Sequence, residues 1–217
     1  MNALGMIEVY SFTAALCVAD VAAKAADVKI IAFDRNRPVS PDVPAPLVMV
    51  VKMEGSVSAV EAAVDAGVAY AKEKGKFIVS HIIPNPGQDV DKMAYLMDIN
   101  KDKYNKKLPK SFRNMQQEDS DRKEQVISIG IIEIQGLVAA IEGLDTMLKA
   151  AQVRLVHTEK RLGGRLVTLI VVGNVSAVTA AVQAGEEAAS ALGKIYGREV
   201  IANPHPEVTK FFDMEIE

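Results

Sequence analysis

Leu4-Gly5-Met6-Ile7-Glu8-Val9 returns later in the chain as Ile129-Gly130-Ile131-Ile132-Glu133-Ile134, and this return decides the fold. Asp20, Lys24, Ala25, Ala26 and Val28 return as Asp145, Lys149, Ala150, Ala151 and Val153. Further on, Gly55-Ser56-Val57-Ser58-Ala59-Val60 becomes Gly173-Asn174-Val175-Ser176-Ala177-Val178, and Asn85-Pro86 becomes Asn203-Pro204. Internal self-similarity has to be read before any local pattern. Two copies of domain size make this a tandem duplication and not a solenoid.

The copies differ in one place. Leu4 to Ile129 is a step of 125 residues, whereas Gly55 to Gly173 is a step of 118, so the first copy is longer between Lys24 and Glu54. The extra length falls in the Arg- and Pro-rich stretch Asp34–Pro46, read as a loop. A loop that diverges while its framework is preserved points to a separate job.

Within the first copy, Leu4–Val9 predicts a strand and Ser11 an N-cap for a helix reaching about Ala26. Lys29–Phe33 and the wholly apolar Leu47–Met53 predict two more strands. Ser56 caps a second helix with Val57, Val60, Val64 and Val68 as its inner stripe and Gly75 at its end. Phe77–Ile83 predicts a fourth strand, stopped by Pro84 and Pro86, with a short helix near Asp89–Met97. The second copy repeats the order from Ile129 to about Phe212. The fold class expected is α/β, in the form of two ferredoxin-like α+β sandwiches. Each has a mainly antiparallel four-stranded sheet with flanking helices. The domains expected are 3–98 and 127–213. Between them, 99–126 is a polar stretch that reads as a solvated linker or a docking segment.

Composition limits function. The chain has 217 residues, 49% hydrophobic and 24% charged, with a net charge of -3. No basic footprint for nucleic acid is present. One cysteine, Cys17, rules out a disulfide framework or a multi-cysteine metal site within one chain. No signal peptide and no apolar run near the ~18 residues of a membrane span is read, so a cytoplasmic protein is expected. His81, His157 and His205 are scattered, and no metal-ligand spacing, nucleophile triad, phosphate loop or carboxylate pair emerges. Neither a catalytic residue nor a metal site is expected, and Glu8 and Glu133 recur through duplication alone.

The second copy closely resembles the shell-protein domain of bacterial microcompartments. The resemblance is carried by Gly130-Ile131-Ile132-Glu133, Gly136-Leu137-Val138-Ala139-Ala140-Ile141-Glu142, Lys149-Ala150-Ala151 and Glu159-Lys160. Leu166 to Gly173 and Asn203-Pro204-His205 complete it, and the first copy is a more distant version. The whole chain resembles tandem-domain shell proteins with modules in unpermuted order. That resemblance implies a homotrimer whose six modules form a pseudohexameric tile, joined edge to edge to other shell proteins. It also implies a central pore for small metabolites and a place in the microcompartment shell.

In the resembled family the pore is lined by the loop between the second and third strands. That loop maps onto Arg35, Asn36, Arg37, Pro38, Val39 and Ser40 in the first copy. In the second it maps onto Arg161, Leu162, Gly163, Gly164 and Arg165. Arginines repeated by three-fold symmetry favour anions; which of them face the axis stays open. Some relatives hold an iron–sulfur cluster through a cysteine near the position of Ser40. Serine is a poor ligand for such clusters, so no cofactor is expected. Lys24 and Lys149 match a tile-edge lysine. Asn85 and Asn203 stand where the family often has an arginine before its proline-histidine pair. Two other readings stay open: a trimeric small-molecule sensor with clefts between subunits, and an enzyme, against which the missing constellation argues.

Overall fold

The computed structural model describes residues 3–36, 38, 42–87, 90, 94, 128–159 and 163–212. The first copy consists of β1 (Ala3–Tyr10), α1 (Phe12–Ala25), β2 (Lys29–Asn36), β3 (Val48–Gly55), α2 (Val57–Glu73) and β4 (Phe77–Ile83). The second repeats it as β5 (Ser128–Gln135), α3 (Leu137–Ala150), β6 (Arg154–Glu159), β7 (Leu166–Gly173), α4 (Val175–Ser190) and β8 (Ile195–Ala202). A one-turn helix α5 (Pro206–Thr209) and a 3-10 turn (Lys210–Phe212) follow. The sheets run β2-β3-β1-β4 and β6-β7-β5-β8, with every neighbouring pair antiparallel. The duplication extends to irregularities. The register shifts between Glu8 and Val9 and again between Glu133 and Ile134. The expected fold class is the observed one.

Two local expectations are corrected. Asp34, Arg35 and Asn36 belong to β2 and not to a loop, paired with Val50, Met49 and Val48. The strand continues because buried Asp34 forms an ion pair with Lys52 of β3, so the charge enters the sheet compensated. Val57 does not lie on the buried face of α2, which is formed by Val60, Ala63, Val64, Gly67 and Ala71. Val57 is the first residue of its helix, at the margin of that face, and its counterpart Val175, which opens the matching helix, is equally exposed at 40%. In α4 the same positions are buried: Val178, Ala181, Val182, Gly185 and Ala189. Val90 and Ala94 are helical; the rest of the stretch near Asp89–Met97 and the 99–126 linker lie outside the described residues.

Each helix layer rests on its sheet through a glycine in the central strand. A methyl group at Gly130 would lie 2.6 Å from both Val178 Cγ1 and Val182 Cγ2. At Gly5 it would lie 2.7 Å from Val60 Cγ1 and 2.9 Å from Val64 Cγ2. β-branched valines have little rotamer freedom to retreat. Gly130→Ala and Gly5→Ala should each lower stability by about 1–3 kcal/mol through overpacking, read as a drop in Tm.

Candidate functional site

The apolar core of the first copy does not end at its own sheet. Phe12, Leu16 and Phe33 share one buried cluster with Ile129, Ile131, Ile170 and Val172 of the second. Along β5, Ile132 and Ile134 belong instead to the second copy's own core. Alternation therefore gives β5 two buried faces, one of them against α1. Phe33 stacks edge-on with Phe12 at 6.0 Å and with Phe211 at 4.9 Å, tying the C-terminal turn to the first copy.

Glu133 is the one charged residue in this buried strand face. Its Oε1 accepts a hydrogen bond from Phe12 N at 3.4 Å and its Oε2 from Thr13 N at 3.3 Å. The first turn of α1 has no acid of its own, so Glu133 supplies the acceptor its free amides need. Burial raises the pKa of the carboxyl, and the two amides offset this only in part. Around it, His205 N donates to Asp20 Oδ1 at 2.8 Å, and Lys24 Nζ bridges Asp20 Oδ2 at 2.6 Å and the Ala202 carbonyl at 3.1 Å. Ile30 N donates to Glu207 Oε2 at 2.6 Å.

The matching helix of the second copy is bare. Phe12, Thr13, Leu16 and Ala23 of α1 are 1%, 1%, 0% and 6% exposed. Their counterparts on α3, Leu137, Val138, Ile141 and Leu148, are 57%, 72%, 60% and 45% exposed. On the first sheet, Glu8, the counterpart of Glu133, is only half-buried. One seam is thus filled within the chain; at the matching place the α3 face is open, and the first sheet is covered at Leu4 and Ile31 by Val90 and Ala94 but only half-buried at Met6 and Glu8.

The strand-connecting loops meet at the filled seam. Gly163, Gly164 and Arg165 form a tight turn at φ 108°, 61° and 59°. Gly163 and Gly164 supply a left-handed backbone that other residues rarely adopt. A methyl group at Gly164 would lie 2.9 Å from Pro46 Cγ, so the turn of the second copy touches the loop of the first. Arg35, Asn36, Gly163, Gly164 and Arg165 are exposed and Pro38 is half-buried. Arg37, Val39, Ser40, Arg161 and Leu162 lie outside the described residues. Lys24 spans the seam, whereas Lys149 is exposed beside Asp145 at 2.5 Å. Asn85 and Asn203 are exposed, the latter at φ 47°. Cys17 is buried in α1, and burial pushes its thiol up to about 12. Among the described residues no His, Cys, Asp and Glu cluster suits a metal, and no helix is long and apolar enough to cross a membrane.

The BMC domain model matches the chain twice, over residues 3–86 and 128–204. The chain belongs to the BMC domain family. Carboxysome assembly protein CcmO of Synechococcus elongatus is 33% identical over 204 residues, covering 94% of this chain and 66% of that protein. The chain therefore spans just under two thirds of the length of that relative. Carboxysome shell protein CsoS1A of Hydrogenovibrio crunogenus is 48% identical over 90 residues, 41% of this chain and 93% of its own. Bacterial microcompartment shell protein PduA of Salmonella typhimurium is 48% identical over 83 residues, 38% of this chain and 87% of its own. A crystal structure of a microcompartments protein from Desulfitobacterium hafniense aligns over 97% of this chain and 99% of its own, at 25% identity and a TM-score of 0.38.

Sequence reading missed the role of Glu133 among BMC domain residues. The signal was available: an acid at the same place in two otherwise apolar strands. It also missed the bare face of α3, although Leu137, Val138 and Ile141 are apolar where a lone surface helix is polar.

Proposed function

We propose that the chain is a structural shell protein of a bacterial microcompartment, with no catalytic role, and that three copies close into a pseudohexameric tile. The carrying observation is the contrast between α1 and α3: the same helix face is buried at one seam and bare at the other. A contact in which one surface meets a different surface repeats until it closes into a ring or runs on as a filament. The relatives named above as shell and assembly proteins favour closure and edge-to-edge association with other shell proteins.

The loops that meet at Pro46 and Gly164 would then recur three times around the axis. Arg35 and Arg165, both exposed, are our candidates for a ring of positive charge that admits small anionic metabolites. Lys149, Asn85 and Asn203 are exposed candidates for the tile edge. We assign no iron–sulfur cluster, because the chain's one cysteine is buried inside α1.

Electron microscopy of concentrated protein tests the tile. Sheets, tubes or flat hexagonal arrays are expected. Discrete particles that never form layers at any concentration would overturn the reading.

A further inference from the structure

A cleft of about 190 Å³ opens at the filled seam, between the C-terminal end of α2 and the start of β8. Thr13, Tyr70, Lys74, Lys76, Arg198 and Glu199 line it. Its volume lies below the ~300–1,000 Å³ of drug-sized ligand sites, so it suits a small metabolite.

Three cations and Glu199 line the cleft, and the carboxylate of Glu133, held by Thr13 N, lies close enough to act on Lys76. Lys74 Nζ pairs with Glu199 at 2.8 Å, and Arg198 reaches out of the cleft to Glu186 at 2.7 Å. Lys76, partly buried, donates to the Tyr196 carbonyl at 3.3 Å and has no ion pair among the described residues. Burial holds its pKa below the ordinary lysine value, as expected for a cation with too little compensation. Thr13, 1% exposed, lies near enough to Glu133 to lower that residue's pKa. Its Oγ1 has no partner within 3.5 Å, and what reaches the Glu133 carboxylate from this side chain is a longer hydrogen-bonding contact. An unpartnered buried hydroxyl is costly to leave unmet.

The duplication supplies an internal control. Thr13, Tyr70, Lys74, Arg198 and Glu199 correspond to Val138, Ala188, Leu192, Ser80 and His81 in the other copy. Only Lys76 keeps its type, as Lys194. The residues that bind the copies together are shared by both: Glu133 with Glu8, Asp20 with Asp145, Lys24 with Lys149. Holding modules together therefore does not require the charged lining of this cleft.

We propose that this cleft binds a small anion bearing a carboxylate or phosphate group, coordinated by Lys74, Lys76, Arg198 and the Thr13 hydroxyl. The site lies within one chain, so it stands or falls apart from the trimer. Thermal shift and calorimetric titration of the full chain with inorganic phosphate and with succinate, each against sodium chloride of equal ionic strength, test it. Saturable stabilisation by either probe is expected, and the probe that saturates at lower concentration identifies the headgroup. Lys74→Gln with Arg198→Gln should weaken that binding about tenfold or more, since hydrogen bonds to charged groups are the strong ones. Glu199→Gln should tighten it, and Lys29→Gln, at the far end of the first sheet, should leave it unchanged. These exposed or half-exposed positions leave the core intact, which circular dichroism checks. Absence of saturation above the chloride control for both probes overturns the proposal. So does equal weakening by Lys29→Gln, or binding indifferent to Lys74, Arg198 and Glu199.

Discussion

Glu133→Ala should lower the stability of the chain by about 3–5 kcal/mol. Two effects add. The buried amides of Phe12 and Thr13 lose their acceptors, at about 1–3 kcal/mol each for an unmet buried donor. The truncation also leaves a hole between β5 and α1, and the close-packed neighbours relax only partly to fill it. Chemical denaturation read by circular dichroism checks the value. A loss below about 1 kcal/mol, typical of surface sites, would show that the seam does not depend on this acid.

Glu133→Gln separates shape from charge. The glutamine carbonyl still accepts one amide, so below the ordinary carboxyl pKa the variant should trail the parent by only about 1 kcal/mol. Burial raises the folded pKa of Glu133 above the ordinary carboxyl value of 4.5. The acid therefore contributes stability that is fully present below 4.5 and is lost as pH rises through the raised folded value. Glutamine does not titrate. The Tm of Glu133→Gln should accordingly rise relative to the parent between acid and neutral pH. A difference that is flat with pH, or of opposite slope, would place the folded pKa at or below the unfolded one.

The framework was legible because the repeat tests every reading twice. A strand read at Leu4–Val9 had to serve at Ile129–Ile134 as well, and both are central strands of their sheets. Helix caps were legible for the same reason: Ser11 and Ser56 accept from Ala14 N and Ala59 N as their positions suggest. The end of β2 was not, because Asp34-Arg35-Asn36-Arg37-Pro38 carries the composition of a loop. What extends the strand is a cross-strand ion pair to Lys52, a long-range contact with no local signature. The seam was hidden for a deeper reason. Local pattern reports which face of an element is apolar, not which partner covers it. Phe12-Thr13 and Leu137-Val138 read alike, yet one pair is buried by β5 and the other stands open.

That contrast sets the second large effect. Leu137→Asp with Ile141→Asp should convert a species of three times the 23.4 kDa chain mass into single chains, measured by light scattering after size exclusion. Both side chains are exposed within one chain, at 57% and 60%, so the fold has little internal contact there to lose. In the assembled ring each would meet the outer face of a neighbour's first sheet, beside Met6 and the half-buried Glu8. By the repeat, Glu8 would there accept the amides of Leu137 and Val138, as Glu133 accepts those of Phe12 and Thr13. Two aspartates at that seam bury unpaired charge next to an existing carboxylate. A buried unpaired charge costs about 3–5 kcal/mol, which exceeds a hundredfold in Kd at every open seam of the ring. The folded chain should keep its far-ultraviolet spectrum and the seam between its own copies. Phe12→Asp, the same change at the filled seam, should instead unfold the chain. Trimers that survive the double substitution would mean that α3 does not face a second copy, and the pseudohexameric reading would fail with it.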